Sequence, residues 1–164
     1  MLISQGRVAL VNCLHMLVCW LAGIFLIHGV AMAQNPAMAK MIDIEVQSLD
    51  GRDGKPLANQ RLLVFTGMSE NAVKSHAAHT SLITDKDGLG TLKIHPAETQ
   101  WIQVWADGRV LCQPNPNQAV FSIATITSKG LATPNTCSAL MRERSPGHFI
   151  VFTRPATLAE KMKQ

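Results

Sequence analysis

The sequence predicts an all-β chain: a single antiparallel β-sandwich with a short C-terminal helix, preceded by an N-terminal signal segment. Three observations carry this. Beyond residue 33, apolar side chains recur in short runs with period two, the spacing that places alternate residues on one face of a strand. Roughly seven such runs are separated by clusters of Gly, Pro, Asn and Asp, which turn the chain back on itself. No long helical period interrupts them, as expected for a layered antiparallel fold.

The N-terminus reads as an export signal. Arg7 is the only charged residue before position 34, and residues 8–33 are mostly apolar. They end in Ala31-Met32-Ala33, the small-x-small pattern at which signal peptides are cut, and polar Gln34-Asn35-Pro36 follows. The expected organisation is a signal peptide over 1–33, a sandwich domain over 41–155, and a short helix or tail over 156–164. The apolar run is also long enough to span a bilayer. Retention as an uncleaved anchor is therefore the alternative, and the only route by which a membrane enters. Leu21-Ala22-Gly23 resembles a lipoprotein box, but Ile24 stands where the lipidated Cys belongs. The expected location is secreted or periplasmic.

Composition agrees. Of 164 residues, 47% are hydrophobic, and the first 33 supply much of that share. Setting Arg7 aside leaves 14 basic against 11 acidic residues, a net +3. Lys74, Arg109, Lys129, Arg142, Arg144 and Arg154 are dispersed rather than striped, so no nucleic-acid partner is expected. Cys13 and Cys19 lie within the signal, leaving Cys112 and Cys137 with one internal pairing in an oxidising compartment. Chain entropy gives that closure about 3–4 kcal/mol, a large share of the roughly 5–15 kcal/mol a small domain possesses.

Taken in order, Ile42, Ile44 and Val46 alternate with Asp43, Glu45 and Gln47, a strand with one wet face. Residues 50–56 are dense in turn formers, and 61–66 (RLLVFT) form the next strand. Residues 67–80 read as a long loop with one helical turn. Strands at 81–84 and 91–94 flank Asp85-Lys86-Asp87-Gly88-Leu89-Gly90 and predict a hairpin. Residues 101–106 are the clearest strand, followed by an Asp107-Gly108 turn and a short strand at 109–112. Pro114-Asn115-Pro116-Asn117 is a rigid connector. Residues 119–127 are β-branched and aromatic at alternate places and read as a strand; 129–146 read as irregular. The last strand is 148–153, stopped by Pro155, and 157–163 predict the short helix.

Gly54-Lys55-Pro56-Leu57-Ala58-Asn59-Gln60-Arg61-Leu62-Leu63-Val64, followed by Thr84-Asp85-Lys86-Asp87-Gly88, resembles the carboxypeptidase-regulatory-like domains. These are transthyretin-like, Ig-like sandwiches related in shape to B-type repeats of bacterial surface adhesins. The resemblance covers 42–94. It departs at Gln60, where a small residue is usual, and does not extend over 112–154. It implies a sandwich fold and a non-catalytic accessory role, and carries no site residues with it. A purine-pathway hydrolase related to transthyretin ends in a Tyr-Arg-Gly-Ser signature. This chain has no Tyr and ends in Glu160-Lys161-Met162-Lys163-Gln164, so the resemblance does not reach that activity.

Three constellations remain. Asp85, Asp87 and Gly88 suggest calcium, but a binding loop counted from Asp85 meets Leu89 and Pro96 where oxygen ligands belong, so a turn explains them. His76 and His79 are spaced to share one side of a helical turn, without a third ligand fixed by spacing. Trp101, Gln103 and Trp105 share one face of their strand, with Ile102, Val104 and Ala106 on the core face. The tryptophans need a cover, for which Leu158 and Met162 are the expected source, or else form an aromatic platform for a glycan or an envelope protein. No nucleophile elbow or phosphate loop is present, and no cofactor is expected. The expected function is a non-enzymatic binding or structural domain at the envelope or outside the cell. The alternative is an envelope metal-binding protein or enzyme using His76 and His79.

Overall fold

A computed structural model describes residues 40–162. The signal or anchor expected at 1–33 lies outside the described residues, as do the last two residues of the expected tail. Among the described residues no helix is long and apolar enough to cross a membrane.

The elements are β1 (Ile42–Asp50), β2 (Arg61–Gly67), α1 (Glu70–Lys74), β3 (His79–Ile83), β4 (Leu89–Ile94), β5 (Trp101–Ala106), β6 (Arg109–Leu111), β7 (Phe121–Ser122), α2 (Ile123–Lys129), β8 (Leu131–Ala132), β9 (His148–Pro155) and α3 (Leu158–Lys161). They form two sheets, ordered β4-β1-β9-β6 with β8 also on β9, and β3-β2-β5-β7. The all-β expectation holds; the wholly antiparallel one does not. β1 and β9 pair in parallel, as do β8 and β9. Parallel neighbours need a long crossover. The chain supplies one by building the entire second sheet before returning as β9, and the other through residues 133–147.

The two sheets contribute to one buried cluster. Ile44, Val46, Leu92, Phe149 and Val151 come from the first sheet, and Leu62, Val64, Ile102 and Val104 from the second. Each such side chain contributes about 1.5–3 kcal/mol on burial. β9 is apolar on both faces because its alternate residues Ile150 and Phe152 fill a second cluster with Leu49 and Cys112. β6 and β8 lie end to end along one edge of β9. The Cys112–Cys137 disulfide joins the segments that follow them, with Cα atoms 5.4 Å apart.

Three further expectations are corrected. The turn at Asp85–Gly88 does not close a hairpin: β3 pairs with β2 and β4 with β1, in different sheets. The turn itself is as tight as expected, with the Gly88 N–H donating to Asp85 O at 3.0 Å. Gly88 has φ +72°, and a Cβ there would lie 2.6 Å from the Ser48 carbonyl. β3 gives Leu82 to the core from the second sheet, and β4 gives Leu92 and Ile94 from the first. Second, residues 119–127 are not one strand. β7 holds two residues, and α2 then buries Ile123 and Ile126, three apart on one helical face. Thr127 and Ser128 hydroxyls donate back to the Ile123 and Ala124 carbonyls. Capping the core's open end outweighs the β-propensity of Ile and Thr. Third, the stretch read as irregular contains β8.

Candidate functional site

β2 and β5 run side by side, with Leu63 opposite Trp105 and Phe65 opposite Gln103. Leu62, Val64, Ile102 and Val104 face the core, so Leu63, Phe65, Gln103 and both tryptophans stand on the other face. α1 packs over that face. Ser69 caps it by accepting from the Ala72 N–H, and Val73 beneath it is fully buried. Gly67 permits the close approach, since a Cβ there would meet the Val73 nitrogen at 3.1 Å.

Just past α1, His76 takes a φ of +55°. This left-handed position after a helix usually belongs to Gly or Asn, and an L side chain pays about 1–2 kcal/mol for it. Ring contacts hold it there. The His76 ring lies 4.4 Å from Trp105 and 4.6 Å from Phe65 between centroids. Its Nε2 is 3.0 Å from Gln103 Oε1. Gln103 is fully buried, and its Nε2 donates to the Asn117 carbonyl at 2.8 Å. That bond fixes the amide orientation, so Oε1 is the acceptor and His76 donates from Nε2–H.

The cover expected for the tryptophans is therefore corrected. Leu158 and Met162 are 76% and 77% exposed. Trp105 is packed instead by Phe65 and His76, the former edge-on at 4.9 Å. α3 brings Lys161 rather than Leu158 or Met162 to this face, and its start is pinned. Thr157 and Glu160 form a capping box, and Arg154 grips the Glu160 carboxylate with two bonds of 2.9 and 2.7 Å. The Arg154 guanidinium, helped by Thr157, draws the Glu160 carboxyl down to about 2.

The sequence-chosen residues are brought together only in part. Trp101 and Trp105 share a face but not a cavity. Trp101 borders a recess of about 470 Å³ with Ile42, Pro96 and Ala124. Trp105, half-buried, borders an open cleft of about 550 Å³ with Arg61, Leu63, Asp107 and Lys161. His79 opens β3, exposed, its ring 5.6 Å from Phe65. The two histidines thus both contact Phe65. Among the described residues no group of three or more His, Cys, Asp or Glu is placed to hold a metal ion. Asp85 serves its turn, its Oδ1 accepting from the Asp87 and Leu89 N–H groups.

The cleft was not legible in the sequence. Arg61 is exposed and its Nε donates to the Ser81 hydroxyl at 3.1 Å. Among the described residues, Arg61, Asp107 and Lys161 take part in no ion pair, whereas most other acidic groups on these sheets have a basic partner. An aromatic wall, two cations and one carboxylate are chemically equipped to hold a polar ligand that has one apolar face.

Neither a protein-family model nor a curated protein matches the chain.

Proposed function

We propose that the chain is an exported, non-catalytic binding domain of the transthyretin-like sandwich class, displaying the Trp105 cleft to an envelope or extracellular component. The observation that carries this is the contrast on one sheet face. His76, Gln103 and Phe65 are locked to one another, while Arg61, Asp107 and Lys161 beside them have no ionic partner among the described residues. The locked residues give Trp105 a fixed backing, and the exposed charged groups beside it are left to solvent, an arrangement that suits recognition. The Cys112–Cys137 bond fits an oxidising compartment, as does a signal peptide at 1–33. Two sheets around one core fit the sandwich that the Gly54–Val64 resemblance implies.

The test uses the exported, disulfide-intact protein as bait on envelope and culture-medium fractions, beside an Arg61→Gln/Lys161→Gln double variant. A component retained by the parent and lost from a variant of equal melting temperature is expected. Equal retention by both, or none by either, refutes a binding role for this cleft.

A further inference from the structure

We infer that the Trp105 cleft takes an acidic sugar, the uronic-acid unit of a polysaccharide, with its ring on the indole and its carboxylate between Arg61 and Lys161. The ligand class is argued for the binding site just proposed, and rests on it.

The shape comes first. The cleft's volume of about 550 Å³ lies inside the roughly 300–1,000 Å³ typical of small-ligand sites. It is open at the surface, so a chain longer than one residue can pass through it. Trp105 and Leu63 give an apolar floor. A pyranose is amphipathic in the matching sense, with a C–H face to set against an indole and hydroxyls around its rim. The indole is also pre-positioned. Phe65 and His76 wedge it from the side, and the buried Gln103 fixes His76. Little conformational freedom is left to lose on binding.

Charge then narrows the class. Two cations and one carboxylate line the cleft, and none of the three has an ion-pair partner among the described residues. A neutral sugar would leave both cations unused. A ligand carboxylate matches the planar donor fork of Arg61, with the Lys161 ammonium as a second point of charge. Asp107 leaves the three charged groups of the cleft at a net +1, the charge that one ligand carboxylate balances. Its carboxylate works against a phosphate dianion more than against a singly charged ligand, and it accepts well from sugar hydroxyls. An acidic peptide would satisfy the cations but offers no ring face to Trp105.

The test is titration calorimetry on the exported, disulfide-intact protein with a galacturonate trimer. A neutral hexose trimer and poly-glutamate serve as comparison ligands. The galacturonate trimer is expected to bind, and the neutral trimer and poly-glutamate to bind at least about tenfold more weakly. The Arg61→Gln/Lys161→Gln variant is expected to lose about tenfold or more for the acidic trimer while keeping its melting temperature. A Trp105→Phe variant, which keeps an aromatic packing partner for Phe65 and His76, should weaken all sugar binding. Absence of galacturonate binding, equal binding of either comparison ligand, or indifference to the double variant each overturns the acidic-sugar assignment. If envelope material is still captured through this cleft while the trimer fails, the binding-domain reading survives and the sugar alone falls, leaving a protein as the occupant.

Discussion

Replacing Gln103 by Met tests whether the locked network behind Trp105 is real. Met keeps the length and bulk of the side chain but removes both polar bonds, to His76 Nε2 and from the amide to Asn117 O. Each is worth about 0.5–1.5 kcal/mol net. The groups left behind escape the full penalty of burial, because Asn117 is exposed and His76 only half-buried, so both can turn to water. Burying a thioether in place of an amide returns part of the loss. The expected destabilisation is about 1–2 kcal/mol. His76→Ala should cost more, about 2–4 kcal/mol, since it also removes two ring contacts and strands Gln103 Oε1 in the interior. The left-handed backbone gives no relief, because Ala is as strained there as His. The bond joining the two residues is lost in either single variant, so the double variant should fall short of the sum by about 1 kcal/mol or more. Urea unfolding of all four proteins at one pH measures this. Additivity within about 0.5 kcal/mol would mean that His76 and Gln103 do not interact, and would remove the support assigned to Trp105.

Two further outcomes are expected. Replacing Cys112 and Cys137 together by Ser should lower stability by about 3–4 kcal/mol, the chain-entropy value for a closure of 25 residues; a urea midpoint shifted by less than about 1 kcal/mol equivalent would show that burial rather than the covalent tie holds the 133–147 segment. The Glu160 carboxyl is drawn from 4.5 to about 2 by Arg154, so its contribution is fully present above pH 4.5 and fades as pH falls toward 2. Amide protection at 157–161, corrected for the intrinsic pH dependence of exchange, should fall through that window in the parent and stay flat in Glu160→Gln, and a flat parent profile would count against the clamp.

The strands themselves were legible because their signals are local. Period two in 42–47, RLLVFT at 61–66 and the run at 101–106 each report a half-buried pleat without reference to any partner. Turn residues were legible for the same reason: Gly88 and Gly108 stand where the backbone needs φ of +72° and +65°. What a turn signal lacks is the identity of the strand beyond it. Asp-Gly between two short apolar runs describes a hairpin and an exchange between sheets equally well, and here both such turns exchange sheets. α2 escaped for a related reason. Its Ile and Thr carry strand propensity, and only the three-residue spacing of Ile123 and Ile126 pointed to a helix.

Those same exchanges assemble the cleft. Had β6 folded back on β5 as a hairpin, the Asp107-Gly108 corner would have ended the second sheet, far from the last helix. Instead β6 joins the first sheet and pairs with the end of β9, Arg109 opposite Pro155. The Ala156 N–H then donates to Gly108 O at 3.1 Å, so the chain leaving β9 is laid against that corner. Arg154 holds α3 in place through Glu160, and the next residue, Lys161, arrives beside Trp105 and Asp107. Arg61 comes from β2, 100 positions earlier in the chain. No spacing rule links Arg61, Lys161 and the Trp105–Asp107 pair, since β2, α3 and the end of β5 each bring their own part. The aromatic residue alone was visible from its place on a strand face, and the charges that decide what it binds became visible only with the strand exchange.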